Sequence, residues 1–275
     1  MPLLNTIGGG SIRSYGRGRG ASGPAGQAEF TTAGTFSWIA PAGVTSVCVV
    51  AVGGGGAGNA YFSCAGAGGG LGYKNNIAVT PGSSYTVVVG AGAPTMPYSA
   101  THSGSDSGAQ VAYNGAPSYF ISWSTVGGFG GLHGYGLSRT SPTRPAGGAY
   151  IGDGGGAGGT CEGGYSSGSP QQSSGGGGAG GYGAAGGKGA GSLANSGPVV
   201  DATAGTSGAG GGGGSRKTST NVNASYDGAG GGGTGLLGLG SNGVAGLTDT
   251  TTAYGTQAVS FTHVTLSTIL LSYYS

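Results

Sequence analysis

Runs of glycine place the strongest constraint on what this chain can fold into. Glycine supplies 73 of the 275 residues, against an average usage of about 7%. Each glycine in a regular element costs roughly 0.5–1 kcal/mol relative to alanine, so the chain entropy to be overcome reaches tens of kcal/mol. The runs are therefore either disordered or folded into something that only glycine allows. They occupy residues 53–58, 66–72, 127–136, 147–159, 175–191, 208–214 and 228–240.

Composition favours a folded chain. Disordered chains combine low hydrophobicity with many charges, whereas here hydrophobic residues make up 36% and charged residues 6% of the chain. No segment repeats apolar residues at helical spacing. Segments rich in β-branched and aromatic residues predict strands, and Pro-Ala-Gly and Pro-Gly sequences at 41–43 and 81–82 predict turns. We therefore predict an all-β fold class, with strands in residues 35–40, 45–52, 73–79, 84–89 and 258–274.

The structure that suits long glycine runs is the polyglycine-II helix, which resembles polyproline II. It has three residues per turn, a rise of about 3.1 Å and no internal hydrogen bonds. Its N–H and C=O groups must find partners on neighbouring backbones, and such close approach requires a hydrogen in place of a side chain. Collagen is excluded because it needs a strict Gly-X-Y repeat with much proline, and this chain has 11 prolines. We predict a β-sandwich that carries a slab of packed polyglycine-II helices with projecting loops.

Two parts of the chain differ in composition. Residues 1–27 are predicted to be an N-terminal attachment arm, flexible or extended because it is rich in Gly and Ser. Docking into a larger assembly and a disordered leader stay open as interpretations of this arm. Residues 28–275 are predicted to form the glycine-rich body, with strands at about 28–52, 73–90 and 258–275 and with glycine runs and loops at 53–72 and 127–257. The docking residues expected in the arm are Leu3, Leu4, Ile7, Arg13 and Tyr15.

Neither end of the chain predicts insertion into a membrane. The start lacks the basic residues and the apolar length of a secretory signal. The apolar residues 268–274 fall far short of the roughly 20 that span a bilayer. We interpret them as a closing strand.

The sequence predicts that the protein is not an enzyme. The seven acidic residues are scattered singly, so no paired-carboxylate site is visible, and no nucleophile accompanies a base. A hydrolytic site assembled from distant residues stays open. The net charge of +2 argues against nucleic-acid binding, which relies on dense positive charge. Residues 183–189 (GAAGGKG) lack the flanking Gly and Ser or Thr of a phosphate-binding loop.

Histidines and cysteines predict neither a metal nor a cofactor. No Cys-x-x-Cys pair is present, and the histidines are isolated in sequence. Cys48 lies among valines in a predicted strand, so we expect a small buried hydrophobe. Cys64 and Cys161 lie between glycine runs; they could pair, but reduced thiols are favoured if the protein is made in a cytoplasm. The three histidines are His102, His133 and His263.

The connections between glycine runs carry the residues best suited to binding. They are rich in Tyr, Ser, Thr and Asn, the composition of antibody binding loops, in which Tyr supplies contact area at low entropic cost. The alternative role for their aromatic residues is to cover the slab or fill the β core, and we expect that role for Phe120 and Trp123. The predicted binding residues are Tyr61, Phe62, Arg139, Arg144, Tyr165, Asn195, Asn221, Asn223 and Tyr254.

Two segments carry a family resemblance. Residues 35–56 read TFSWIAPAGVTSVCVVAVGGGG, and residues 71–92 read LGYKNNIAVTPGSSYTVVVGAG. Both resemble the glycine-rich domain found in many bacteriophage tail proteins. The interrupted glycine runs over 127–257 are also similar in composition to the tip adhesins of T-even-like phage tail fibres, which pack polyglycine helices into a slab and display receptor-binding loops.

The resemblance implies a virion protein at the tip of a tail fibre or baseplate, made in the host cytoplasm. It would adhere to a host surface protein or polysaccharide through loops between polyglycine helices, and its N-terminal arm would bind other virion proteins. Homo-oligomerisation stays open. Two alternatives come from other classes of protein: a structural or decorating virion element that binds nothing in particular, and an extracellular glycine-rich scaffold protein.

Overall fold

A computed structural model describes residues 26–58, 65–94, 111–134, 144–161, 174–191, 200–212, 231–234 and 268–274. Within these ranges the chain is all-β, as predicted, apart from one 3₁₀ turn at Val111–Tyr113. The ten strands are β1 (Gly26–Phe30), β2 (Gly34–Ile39), β3 (Ser46–Val52), β4 (Leu71–Ala78), β5 (Ser84–Val89), β6 (Ser118–Phe120), β7 (Gly127–Gly128), β8 (Tyr150–Ile151), β9 (Gly154–Gly156) and β10 (Thr268–Tyr274).

The strands form two five-stranded sheets that pack into a sandwich. Sheet A has the order β1-β10-β3-β4-β9, and sheet B has the order β2-β5-β6-β7-β8. Every strand pair is antiparallel, and β10 is an interior strand of sheet A, between β1 and β3. The last strand of the chain is therefore held on both sides.

Alternating side chains of β3 explain how sheet A is buried on both faces. Val47, Val49 and Ala51 point into the core between the sheets. Val50 and Val52 point to the outer face, because successive strand residues face opposite sides. The outer face is covered there by Leu71, Tyr73 and Tyr182, and the rings of Tyr73 and Tyr182 lie 5.8 Å apart between centroids.

Aromatic rings from sheet B fill the other side of the core. Phe120 is fully buried, with its ring 6.0 Å from that of Trp38 and 5.9 Å from that of Tyr85. Ile269 and Leu271 of β10 meet this cluster from sheet A and are also fully buried. The prediction of a core role is confirmed for Phe120.

The predicted burial of Cys48 is wrong. Its side chain is half-exposed, because it points away from the core in which its neighbours Val47 and Val49 are buried. The pairing of β3 with β4 shifts at this point, where Asn76 has a φ of 52°. Asparagine is among the residues that most often adopt this left-handed conformation.

The glycine runs continue the strands beyond one end of the sandwich. Strands β3 to β9 each run directly into or out of a glycine-rich segment, and further segments pack beside these. We call the whole set the slab. It comprises residues 53–58, 65–70, 90–94, 113–117, 129–134, 144–149, 157–161, 174–191, 200–212 and 231–234.

Hydrogen bonds in the slab recur at intervals of three residues. Within residues 174–191, the N–H groups at positions 175, 178 and 181 donate to the carbonyls of positions 190, 187 and 184. N–H groups between these positions donate to other segments, so one segment bonds to several neighbours. The same three-residue spacing recurs in four further sets of two hydrogen bonds, with the N–H donor named first: Gly53–Gly70 with Gly56–Ala67, Gly54–Ala116 with Ala57–Tyr113, Gly177–Gly66 with Gly180–Gly69, and Gly186–Ala157 with Gly189–Thr160.

Close backbone contact explains why these positions are glycine. A methyl group on Gly54 would overlap the carbonyl of Ala91, and one on Gly131 would overlap the carbonyl of Ala67. The overlapped atoms are backbone atoms that are themselves held in the slab, so they have little freedom to move aside. Alanine is accepted where its methyl group fits, as at the fully buried Ala190.

The three-residue repeat matches the three residues per turn of polyglycine II, and the assignment of the slab segments to that helix stays a prediction. We expect the amide protons of Gly177, Gly180 and Gly186 to exchange slowly, because each is buried and donates to a carbonyl. The exposed residues 206 and 207 provide fast-exchanging amides for comparison. Uniformly fast exchange measured by NMR would contradict a hydrogen-bonded slab.

Candidate functional site

The described residues hold no group of three or more His, Cys, Asp or Glu side chains that could bind a metal ion. The same part of the chain contains no helix long and apolar enough to cross a membrane. Its ionisable side chains are few and mostly lie at the surface. Candidate sites must therefore be sought in the arrangement of the segments and in exposed aromatic residues.

One end of the slab, which we call the distal end, brings together the flanks of five inter-run connections. The N–H of Gly134 donates to the carbonyl of Ala57, whose own N–H donates to the carbonyl of Tyr113. Ala65 N–H donates to Ser174 Oγ at 2.9 Å. The flanking residues of 59–64, 95–110, 135–143, 162–173 and 192–199 all lie in this layer.

The opposite end of the molecule is where residues 1–25 join the body. Gly26 pairs with Tyr273, which pairs with Val47 at the start of β3. The chain then runs from Val47 through Val52 to Gly58 at the distal end. At about 3.1–3.4 Å per residue, these eleven steps span roughly 35 Å. The predicted arm and the five connections gathered at the distal end therefore attach at opposite ends.

A buried histidine ties together two segments just below the distal end. The ring Nδ1 of His133 lies 2.7 Å from Asn114 Oδ1, and the backbone N–H of His133 donates to the same oxygen at 2.9 Å. A carboxamide oxygen only accepts, so Nδ1 carries a proton. His133 precedes the connection 135–143, and Asn114 follows the connection 95–110. Sequence reasoning treated His133 as isolated, since its partner lies nineteen residues away.

Most predicted binding residues lie outside the described residues. The exception is Arg144, which is half-buried, with its Nε atom shielded from solvent. It begins the segment that continues to Ala146, whose carbonyl accepts from Leu132 N–H. The arm residues all lie outside the described residues: Leu3, Leu4, Ile7, Arg13 and Tyr15. So do the other predicted binding residues: Tyr61, Phe62, Arg139, Tyr165, Asn195, Asn221, Asn223 and Tyr254.

Two of the predicted connections are shorter than expected. The connection expected between the predicted strand 84–89 and the glycine run 127–136 contains residues 113–117, which belong to the slab, and the strand Ser118–Phe120. The region 192–207 likewise includes slab residues, since Val200 exchanges two backbone hydrogen bonds with Gly191. Neither stretch gave a sequence signal of pairing, because the partners are backbone groups of other slab segments.

Trp123 is the most unexpected aromatic residue. It is 60% exposed, so of the two roles expected for it, filling the β core is excluded, while covering the slab is not. It lies in the turn between β6 and β7, and its ring contacts Phe129 edge to face at 6.4 Å and 83°. In the same turn Ile121 has a φ of 64°, a strained conformation for a β-branched residue that costs about 1–3 kcal/mol.

These observations define a class of protein: an all-β sandwich whose strands extend into a glycine slab, with inter-run connections gathered at one end. Residues 31–257 match the model of a family described as a glycine-rich domain, and the chain belongs to that family. A comparison with curated proteins found no match. The family match confirms the glycine-rich domain inferred from the sequence.

Proposed function

We propose that the protein is a phage virion component at the tip of a tail fibre or baseplate, where it adheres to a receptor on the host surface. Adhesion is assigned to the inter-run connections at the distal end, and the partner is a host surface protein or polysaccharide. The observation that carries the proposal is the gathering of five connections in one layer of the slab. The origin in a phage tail rests on the resemblance of residues 35–56 and 71–92.

A rigid slab suits this role energetically. Glycine offers backbone and little side-chain area, so the slab itself cannot discriminate among partners. It can hold both ends of each connection, which lowers the ordering cost that a binding loop would otherwise incur. The His133–Asn114 contact serves this purpose, because it fixes the starting point of 135–143 relative to the end of 95–110. These two connections contribute Arg139 and several aromatic and hydroxyl residues.

The N-terminal arm is proposed to bind other virion proteins. It joins the body at Gly26, roughly 35 Å from the distal end by the rise per residue, so attachment to the particle and contact with the host would not compete for the same surface. This polarity is what an adhesin at the end of a fibre requires. No nucleic acid, membrane insertion, cofactor or catalysis forms part of the proposal.

Replacing a connection with an inert linker tests the proposed adhesion. We expect that exchanging residues 137–143 for a Gly/Ser linker leaves the melting temperature nearly unchanged, since surface connections tolerate such exchange. The purified protein should bind host cells more weakly, or it should bind a different range of hosts. Residues 144–146 are kept, because Ala146 is hydrogen-bonded within the slab.

The matched control is Thr206→Gly in the exposed turn at residues 206–207, which lies away from the distal end. This variant should bind host cells as the unmodified protein does. If each distal connection can be exchanged singly and in pairs without any change in binding, the protein is a structural scaffold and the adhesin proposal fails. Host cells stripped of outer-membrane protein or of polysaccharide then distinguish the two receptor classes.

A further inference from the structure

We propose a second binding site on the flank of the sandwich, at Trp123 in the β6–β7 turn, for neutral oligosaccharides that contain pyranose rings. The site is separate from the distal end, and it does not depend on the proposed adhesion through the inter-run connections. It is formed by the exposed indole of Trp123 and the hydroxyl groups of residues 122, 124 and 125.

The exposed indole provides a flat apolar surface of fixed orientation. Trp123 is 60% exposed, and its ring meets Phe129 at 83°, which leaves the indole supported at one side while most of it faces solvent. The strand that follows the turn, β7, consists of the buried Gly127 and Gly128, so the turn residues provide the exposed surface. The apolar C–H face of a pyranose ring stacks on a surface of this kind.

The residues next to Trp123 in the chain carry hydroxyl groups that form a hydrogen-bonded cluster. Ser122 Oγ lies 3.0 Å from Ser124 Oγ and 2.8 Å from Thr125 Oγ1. Each hydroxyl can donate one hydrogen bond and accept two, so the cluster retains capacity for a ligand. Sugar hydroxyl groups, which both donate and accept, match this capacity.

The turn that carries Trp123 is held in one conformation despite strain. Ile121 keeps its φ of 64° while its N–H donates to Thr86 at 2.8 Å, and Ser122 N–H donates to Phe120 at 2.8 Å. Thr125 N–H closes the turn on Ser122 at 3.0 Å. Strained residues that the surrounding structure over-determines cluster at binding sites. The strain here sets an aromatic residue on the surface in advance of binding.

Charge identifies the class of saccharide. Residues 117–132, which contain β6, the turn, β7 and Phe129, include no charged side chain. The outer positions of the neighbouring strands β2 and β5 are Thr35, Ser37, Ile39, Ser84, Thr86 and Val88, which are also neutral. An acidic saccharide or a nucleic acid would find no cation here, so the site fits a neutral sugar.

The two tryptophans of the chain allow a direct test with the full-length protein. Trp38 is 7% exposed and Trp123 is 60% exposed, so their indole N–H signals in NMR report on the core and on the site. Maltotriose, cellotriose and mannotriose are titrated into the millimolar range. We expect at least one trisaccharide to shift the indole N–H resonance of Trp123 saturably, with the Trp38 resonance unchanged. The same trisaccharide should protect the tryptophan fluorescence of the protein from quenching by acrylamide.

Variants then establish the role of the indole, with binding measured by calorimetry. Trp123→Ala should weaken binding roughly tenfold or more, as expected for loss of a central aromatic contact, and Trp123→Phe should lose less. The matched control is Ile39→Ala, which removes an apolar residue that is 62% exposed on the same sheet and should leave binding unchanged.

Three results would overturn the proposal: no trisaccharide shifts the Trp123 signal, binding survives Trp123→Ala undiminished, or Ile39→Ala weakens binding as much as Trp123→Ala does. Loss of particle assembly in Trp123→Ala without any sugar binding by the unmodified protein would assign the indole to a protein partner instead. The variant with residues 137–143 exchanged should keep full sugar binding, which separates this site from the proposed adhesion.

Discussion

Replacing Gly131 with valine should prevent stable folding of the slab. Its N–H donates to Gly54 and its carbonyl accepts from Gly115, and an added side chain would overlap the backbone of Ala67 and Gly68. Overpacking costs about 1–3 kcal/mol, and each buried backbone group left unpaired adds about 1–3 kcal/mol. We therefore expect a loss of roughly 3 kcal/mol or more, seen as a fall in Tm of about 10 °C or as insoluble protein.

Gly183→Val provides the matched control. Gly183 is exposed, and an added Cβ would meet only the Ser207 side chain at an ordinary contact distance of 3.5 Å. Its Tm should change little. Equal melting temperatures for Gly131→Val, Gly183→Val and the unmodified protein in calorimetry would show that the backbones are not in close contact. The predicted packing of glycine segments would then be wrong.

Removing residues 268–275 should abolish cooperative unfolding altogether. β10 pairs with β3 along seven residues and with β1 along five, and it contributes the fully buried Ile269 and Leu271. Truncating a single buried Leu or Ile to alanine already costs about 2–5 kcal/mol, against a typical total stability of about 5–15 kcal/mol. The truncated protein should show no melting transition by circular dichroism and no dispersed amide signals by NMR.

Deletion of residues 1–25 is the corresponding control at the other end of the chain. The described body begins with the paired strand β1, so we expect the melting transition to survive this deletion. Incorporation into the larger particle should be lost if the arm is the attachment segment. A cooperative transition in the C-terminal truncation, or its absence in the N-terminal deletion, would contradict these assignments.

Local chemistry made the sandwich predictable. Residues 84–89 were predicted as a strand with the bounds observed for β5; the predicted strand 35–40 differs from β2 by one residue at each end, and 45–52 differs from β3 by one residue at its start. These segments combine β-branched and aromatic residues with turn signals at both ends. The observed β10 lies within the predicted strand 258–274, and the residues before Thr268 fall outside the described part of the chain.

The short strands of the glycine region could not be predicted in the same way. β7 and β9 consist of glycine alone, so their sequences carry no alternation of apolar and polar residues. Their pairing is set by where neighbouring backbones lie. The first strand begins at Gly26, two residues before the predicted start of the body at 28, because its Gly-Gln start pairs with the distant β10.

The candidate sites also combine features that the sequence predicts with features that depend on contacts between distant segments. The composition of the connections indicated binding, but their common location at the distal end depends on hydrogen bonds between segments far apart in sequence, such as that from Ala65 to Ser174. Trp123 was expected either to cover the slab or to fill the β core, and it lies outside the core. Its exposure follows from the turn at Ile121, whose left-handed conformation no residue preference would predict.

The three-residue repeat of the slab constrains how such a chain can change length. Inserting one residue within a segment would turn every later N–H toward a different neighbour, since positions 175, 178 and 181 share one partner segment while positions 177 and 180 share another. Insertions of three residues would restore the pattern, whereas a β-strand restores its faces after two. Related proteins should therefore vary by multiples of three inside the slab and freely in the connections between its segments.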